Sequence, residues 1–255
     1  MKLFYRVSGS GPPLLLLHGL FGSSDNWRTI ATELSGSHQI YLIDLRNHGR
    51  SPHTTDFNYD VMIDDIYELI TDLNLRKISL IGHSMGGMTA MNFTIEYQHR
   101  IDKLVIIDIA PKRYPVLHQR IIRGLQAINL EGLRSRNEAD AELSNYISES
   151  HLRQFLLKNL YRGRNSRYAW RINLPVIANN ISRIGEGIVR PGSAENPALF
   201  LRGAKSDYIL DSDLKTIQDL FPNSRVVTIP DAGHWLHSDA PSRLIEELRS
   251  FLNSD

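Results

Sequence analysis

The chain predicts an α/β protein with a mostly parallel central sheet, helices on both faces, and a long helical insertion between two of the strands. Three observations carry this reading. Short apolar runs alternate with amphipathic helical patterns over residues 2–108 and again over 198–252, the rhythm of strand–helix–strand units. From Pro111 to about Asn196 the helical patterns continue, but no convincing strand pattern accompanies them. The middle also differs in charge: Pro111 to Glu195 holds 14 Lys and Arg against 7 Asp and Glu, whereas the whole chain is nearly balanced at 29 against 28. We therefore divide the chain into a core domain of residues 1–110 and 197–255 and an inserted cap, or lid, of residues 111–196.

The elements follow in order. Lys2 to Val7 alternates like a half-exposed strand, and Pro13 to Leu17 is a continuous apolar run of the kind that a strand covered on both faces shows. Ser24 or Asp25 is placed to cap a helix reaching Leu34. Gln39 to Leu45 is a second buried strand, followed by a polar turn from Arg46 to Pro52. Tyr59 to Leu73 has apolar residues near a 3.6-residue period, with Asn58 as its cap. A strand over Lys77–Ile81, a helix from Met85 to about Tyr97 and a strand over Lys103–Asp108 complete the first part. Within the insertion, His118–Ile128, Glu138–Ile147 and His151–Leu160 read as helices. Ala198–Arg202 and Arg225–Ile229 then read as strands, and Asp213–Phe221 and Ser242–Leu252 as helices.

Composition excludes several classes. Hydrophobic residues make up 42% of the 255 and charged residues 22%, which is ordinary for a globular protein and argues against disorder. The run Leu14–Leu17 falls far short of the roughly 20 residues that cross a bilayer, and its flanks are unlike a signal peptide, so a cytoplasmic protein without a membrane span is expected. The absence of cysteine excludes disulfides, thiolate zinc sites and a thiol nucleophile.

The chemistry is concentrated in a few turns. Gly82-His83-Ser84-Met85-Gly86 is G-x-S-x-G, with a strand before it and a helix after, the setting in which a strained turn lifts a serine hydroxyl clear of the sheet. A serine nucleophile needs a base, an acid behind that base, and donors for the oxyanion. His234, in Asp231-Ala232-Gly233-His234-Trp235 directly after the last strand, has the right order and context for the base. The N–H of Met85, at a helix N-terminus, and the N–H of Leu20, just after His18-Gly19, are the expected oxyanion donors, with Phe21 as the alternative. Two aspartates compete for the acid. Asp108 ends a strand among Ile106, Ile107, Ile109 and Ala110, where a carboxylate is costly unless it has a partner. Asp207 lies in the polar turn Lys205-Ser206-Asp207, where an aspartate needs no special reason.

Six segments, "LLLHGLFGSSDNW", "IDLRNHGRSPH", "IGHSMGGMTAM", "VIIDIAPKRYP", "LRGAKSDYI" and "IPDAGHWLHSDAP", lie on both sides of the insertion. Through them the chain resembles the α/β-hydrolases, and more narrowly the YbfF-type bacterial esterases. The resemblance implies the α/β-hydrolase fold and hydrolysis of short- to medium-chain carboxylic esters, with acyl-CoA thioesters as a further substrate class and no metal or organic cofactor. In the superfamily the acid most often stands at the position of Asp207, whereas the YbfF-type pattern places it at Asp108. We take Asp108 as the acid, keep Asp207 as the alternative, and assign Ser206 an assisting hydrogen bond near His234.

Other residues receive structural readings. Asp44, Arg46 and His48 are expected to pin the turn they sit in, and Trp27 to pack beneath the oxyanion loop. His234 and His237 have the three-residue spacing of zinc ligands but no third ligand pattern nearby. The insertion should roof the serine, with Tyr114, Leu117, Ile121, Leu125, Phe155, Leu156 and Trp170 as candidate walls. Its arginines read as a solvated basic face rather than a site for acyl-CoA, and no nucleic-acid module accompanies them. The expected partner is a small-molecule ester or thioester, and the expected assembly a monomer or small homo-oligomer. The competing readings are a ligand-binding protein without hydrolytic activity on the same fold, and a carbon–carbon bond hydrolase.

Overall fold

A computed structural model describes residues 1–115, 118–163 and 167–254. In chain order the elements are β1 (Tyr5–Ser8), β2 (Pro13–Leu17), α1 (Arg28–Leu34), β3 (Gln39–Ile43), α2 (Tyr59–Asp72), β4 (Ile78–His83), α3 (Met85–Glu96) and β5 (Ile101–Ile107). The insertion supplies α4 (Gln119–Ala127), α5 (Arg136–Ser144), α6 (Ser150–Leu157), β6 (Leu160–Arg162), β7 (Tyr168–Trp170) and α7 (Leu174–Ile184). The chain closes with β8 (Ala198–Gly203), α8 (Leu214–Leu220), β9 (Ser224–Ile229), α9 (Leu236–Asp239) and α10 (Pro241–Leu252).

Seven strands form one sheet in the order β1-β3-β2-β4-β5-β8-β9. Only β1 runs antiparallel, paired with β3 at the edge; every other pair is parallel. The continuous apolar run of β2 follows from this arrangement. Successive side chains point to opposite faces, so Leu15 and Leu17 enter the core shared with α2, α3 and the insertion, while Leu14 and Leu16 enter the core under α1 and α10. Asn58 caps α2 as its sequence position implies, accepting a hydrogen bond from the Val61 N–H at 3.0 Å. The helix expected from Ser24 or Asp25 begins as a 3-10 turn, Ser24–Trp27, before α1.

One expectation requires correction. The insertion is not wholly helical: β6 and β7 pair as an antiparallel hairpin, with Leu160 opposite Trp170, and the helix expected over His151–Leu160 stops at Leu157. Strands of three residues are too short to show an alternating pattern, and their order comes from the pairing itself. The polar turn over Arg46–Pro52, expected to be pinned by Asp44, Arg46 and His48, is buried over its first three residues while Arg50 and Pro52 are exposed. Arg46, Asn47 and His48 are each at most 6% exposed. The Arg46 guanidinium is satisfied by Asp65 of α2, through contacts of 2.6 and 2.9 Å, and by the carbonyls of Asp56 and Val61.

Between Asp108, at the end of β5, and the start of β8 the insertion crosses the strand C-termini. Polar contacts fasten it to the rest along its length. Asn173 donates its backbone N–H to the Asn47 carbonyl at 2.9 Å and its side-chain amide to Asn47 Oδ1 at 3.0 Å. Tyr59 donates its hydroxyl to the Ile184 carbonyl at 2.7 Å. Beyond α7 the returning chain is held along α3, where the Asn92 side chain bonds the backbone of Gly187, Val189 and Arg190.

Candidate active site

Ser84 follows β4, the fourth of the seven strands in the sheet, and precedes α3. Its backbone lies at φ 52°, ψ −119°, a conformation that costs a non-glycine residue about 1–3 kcal/mol and persists only where its surroundings enforce it. Here they do. The Ser84 N–H donates to the Ile107 carbonyl at 3.1 Å, and the Ser84 carbonyl accepts from Met88 N–H at 2.9 Å. Gly82 and Gly86 make the turn physically available: a Cβ on Gly82 would stand 2.3 Å from the Gly86 carbonyl oxygen, and one on Gly86 would stand 2.6 Å from the carbonyl oxygens of Leu17 and His18.

The structure joins His234 to Asp108. His234 Nδ1 lies 2.8 Å from Asp108 Oδ2, and Asp108 is fully buried. Its charge is met by hydrogen bonds rather than water. Oδ1 accepts from the Gly203 N–H at 3.0 Å, while Oδ2 also accepts from the Ser206 hydroxyl. Asp207 is exposed instead. The His234 ring packs against two others, Tyr208 stacked at 3.8 Å between centroids and His83 tilted at 4.7 Å. His83 Nε2 also donates to the His234 carbonyl at 2.8 Å, so the residue just before the serine fixes the loop that carries the histidine. Neither the stacking by Tyr208 nor this bond was visible in the sequence.

Ser84 and His234 line the same cavity. Among the described residues no hydrogen bond joins Ser84 Oγ to His234 Nε2, a contact that in sites of this type often tightens only when substrate arrives. Leu20 and Met85 flank the serine, and among the described residues neither N–H donates to a protein acceptor. Met85 is the first residue of α3, where the helix provides no partner. Phe21, the alternative donor, is committed elsewhere: its N–H donates to His48 Nε2 at 3.1 Å. The Phe21 carbonyl accepts from the Asn159 side chain of the insertion at 2.7 Å. The residue itself sits at φ 61°, so both sides of the oxyanion loop are tied.

Buried histidines surround the serine as neutral groups. Burial, with His18 beside it, pushes His48 down to about 3. Burial and the nearby His234 push His118 and His237 down to about 4 each, and the same causes hold His83 well below the usual histidine range. His18 is likewise lowered by burial; its Nδ1 donates to the Gly19 carbonyl at 2.8 Å and its Nε2 accepts from Leu45 N–H at 3.0 Å. Neutral imidazoles act here as spacers with one donor and one acceptor apiece.

Of the expected walls, Ile121 and Phe155 line the larger of two cavities at the serine, of about 200 Å³, together with Leu152, Trp235 and Trp27. Tyr114 lines a smaller one that also borders the serine. Leu125 and Leu156 are fully buried, Trp170 faces a separate groove with Ile172 and Pro175, and Leu117 lies outside the described residues. Asp44 pins its turn as expected, accepting from the backbone N–H of Ser24 at 2.6 Å and of Arg50 at 2.8 Å.

The family model described as "alpha/beta hydrolase fold" matches residues 12–241, and the chain belongs to the α/β-hydrolase family. It is 36% identical over 242 residues to the protein named esterase YbfF of Escherichia coli K12, covering 94% of this chain and 93% of that protein. It is 38% identical over 264 residues to a Danio rerio protein named sn-1-specific diacylglycerol lipase ABHD11, covering 99% and 83%. Among solved structures it superposes on one described as a marine microorganism esterase with a TM-score of 0.96 at 46% identity, covering 98% and 99% of the two chains.

Proposed function

We propose that this protein is a serine esterase that hydrolyses carboxylic esters through an acyl-enzyme, with Ser84 as nucleophile, His234 as general base and Asp108 as the acid behind it. The observation that carries the reading is the 2.8 Å bond from His234 Nδ1 to the fully buried Asp108, behind a serine held in the strained turn after β4. The relatives named as esterases and a lipase support the reaction class.

Ser84 Oγ attacks the ester carbonyl carbon while His234 Nε2 takes its proton. The carbonyl π-electrons move onto oxygen, and the Leu20 and Met85 N–H groups receive that charge. His234 then protonates the departing alkoxide as the C–O bond breaks, leaving the acyl group on Ser84. Water, deprotonated by the same histidine, releases the acid and restores the serine. Asp108 fixes the imidazole tautomer with Nδ1–H toward the carboxylate and stabilises the imidazolium, and Ser206 shares that carboxylate oxygen as the assisting group.

The insertion acts as a cap over the serine. No lysine or arginine lines the larger cavity at the serine among the described residues. Cap arginines are engaged at the surface, Arg120 by Glu149, Arg134 by Glu138 and Arg153 by Asp140. This favours neutral esters over acyl-CoA thioesters. No helix among the described residues is long and apolar enough to cross a membrane, and the proposed setting is the cytoplasm.

The test is hydrolysis of p-nitrophenyl acetate and butyrate by the purified protein, with labelling of Ser84 by a fluorophosphonate followed by intact mass. Ser84→Ala is expected to remove both. Undiminished hydrolysis in that variant sinks the assignment, and absence of an adduct on the unaltered protein favours a binding role without hydrolysis.

A further inference from the structure

Ser84 borders two unequal cavities, and the geometry points to a division of labour between them: the smaller receives a short acyl chain and the larger an extended apolar alcohol. The inference rests on the esterase reading above and adds the class of ester.

Orientation follows from the proton that the leaving group must collect. The departing alkoxide oxygen has to come within hydrogen-bond reach of the imidazole that protonates it, so the alcohol lies on the side of His234. His234, Trp235 and His237 line the larger cavity and are absent from the lining of the smaller. Met85, whose N–H faces the oxyanion, lines the smaller one with Met88, Tyr59, Ile181 and Ile184. Leu20, Ser84, His118 and Tyr208 border both. With the carbonyl oxygen at Leu20 and Met85 and the alkoxide at His234, the remaining substituent of the carbonyl carbon is directed into the smaller cavity.

Volume then sets the chemistry. The smaller cavity measures about 40 Å³ and the larger about 200 Å³. Both exceed the roughly 10–15 Å³ that admits a single water, and the alcohol side is several times the roomier of the two. Acetyl to butyryl chains fit the first.

Its walls also resist swelling. Tyr59 donates to the Ile184 carbonyl at 2.7 Å. The Tyr114 hydroxyl accepts from the Ala110 N–H at 2.8 Å and donates to the Tyr208 carbonyl at 2.5 Å. A longer acyl chain would have to break one of these bonds or displace packed side chains. The larger cavity is bounded on the cap side by Ile121, Leu152 and Phe155, whose apolar surfaces suit an alkyl or aryl alcohol.

Octyl acetate and ethyl octanoate test this directly, because they are isomers that differ only in which side of the ester carries the long chain. Initial rates of acid release, followed by pH-stat, give kcat/KM for each. Octyl acetate is expected to be preferred by at least about tenfold, the scale on which a few methylenes discriminate in a closed pocket. Ile181→Ala should narrow that ratio about fivefold by opening the acyl side, and Ile121→Trp should narrow it from the other side by lowering the octyl acetate rate. A ratio near one or reversed in the unaltered protein overturns the assignment of the cavities while Ser84-dependent hydrolysis leaves the esterase reading intact. A ratio unmoved in both variants overturns it as well. Ester hydrolysis that survives Ser84→Ala would instead remove the esterase reading on which it stands.

Discussion

The sheet side of the site and the cap side are built by different means. On the sheet side, Ser84, Asp108 and Phe21 all have positive φ and sit at strand ends or in tight loops; neighbouring backbone holds Ser84 and Asp108, and the side chains of His48 and Asn159 hold Phe21. On the cap side the contributions to the cavity are apolar volumes, Ile121, Leu152 and Phe155. The difference teaches that position is encoded in backbone geometry where bonds are made and broken, whereas selectivity is left to side-chain bulk, which can change without disturbing the strands.

The contrast is broken most severely by removing the charge behind the histidine. Asp108→Asn should lower kcat by about 10⁴, the scale of the equivalent change in serine proteases, while the exposed Asp207→Asn should stay within about twofold. Steady-state kinetics on the pair decides it, and a crippled Asp207→Asn would reverse the assignment of the acid. A smaller effect is expected across the boundary between the two sides. Asn159→Leu keeps the shape of the side chain but removes the bond to the Phe21 carbonyl. If that bond holds the oxyanion loop, kcat should fall about tenfold or more with KM little changed, since losing an oxyanion donor outright costs about 10²–10³. A rise in KM alone would mean that Asn159 shapes the pocket and not the loop.

A different kind of effect, on stability, belongs to the histidines. His48, His118 and His237 have folded-state values of about 3, 4 and 4, below the ordinary value of about 6.5 that they regain on unfolding. Below about pH 6.5 the unfolded chain therefore binds protons that the folded chain refuses, and stability falls as pH falls. Each histidine contributes a slope of up to about 1.4 kcal/mol per pH unit until its folded value is reached. The Tm should be level above about pH 7 and decline steeply between about 6.5 and 4. His237→Gln should flatten that decline, and an unchanged profile in that variant would show that His237 is not among its causes.

How far the sequence speaks differs between the same two regions. Ser84 and His234 are legible because their signals are local: a glycine-bracketed turn between strand and helix, and a histidine just past the last strand. Asp108 is legible for another reason, since a carboxylate inside an apolar run demands a partner, and the 2.8 Å bond to His234 provides it. The β6–β7 hairpin is not legible because its strands are three residues long. The bonds from Phe21 to His48 and to Asn159 join residues 27 and 138 positions apart, a pairing that no periodicity encodes. The turn over Arg46–Pro52 is legible as one pinned from within, but not its distant partners Asp65, Asp56 and the N–H of Phe21.

The place where the cap enters the sheet has a further consequence. The chain leaves after β5 and returns to β8, which are neighbouring parallel strands, Leu104 beside Ala198 and Ile107 beside Leu201. A parallel pair must be joined by a crossover of about a dozen residues in any case, so the insertion enlarges a connection that the topology already demands. Its length and contour are therefore free to drift under selection for new substrates, as a loop tip is, while the reacting groups inherit their placement from strands that never need to move.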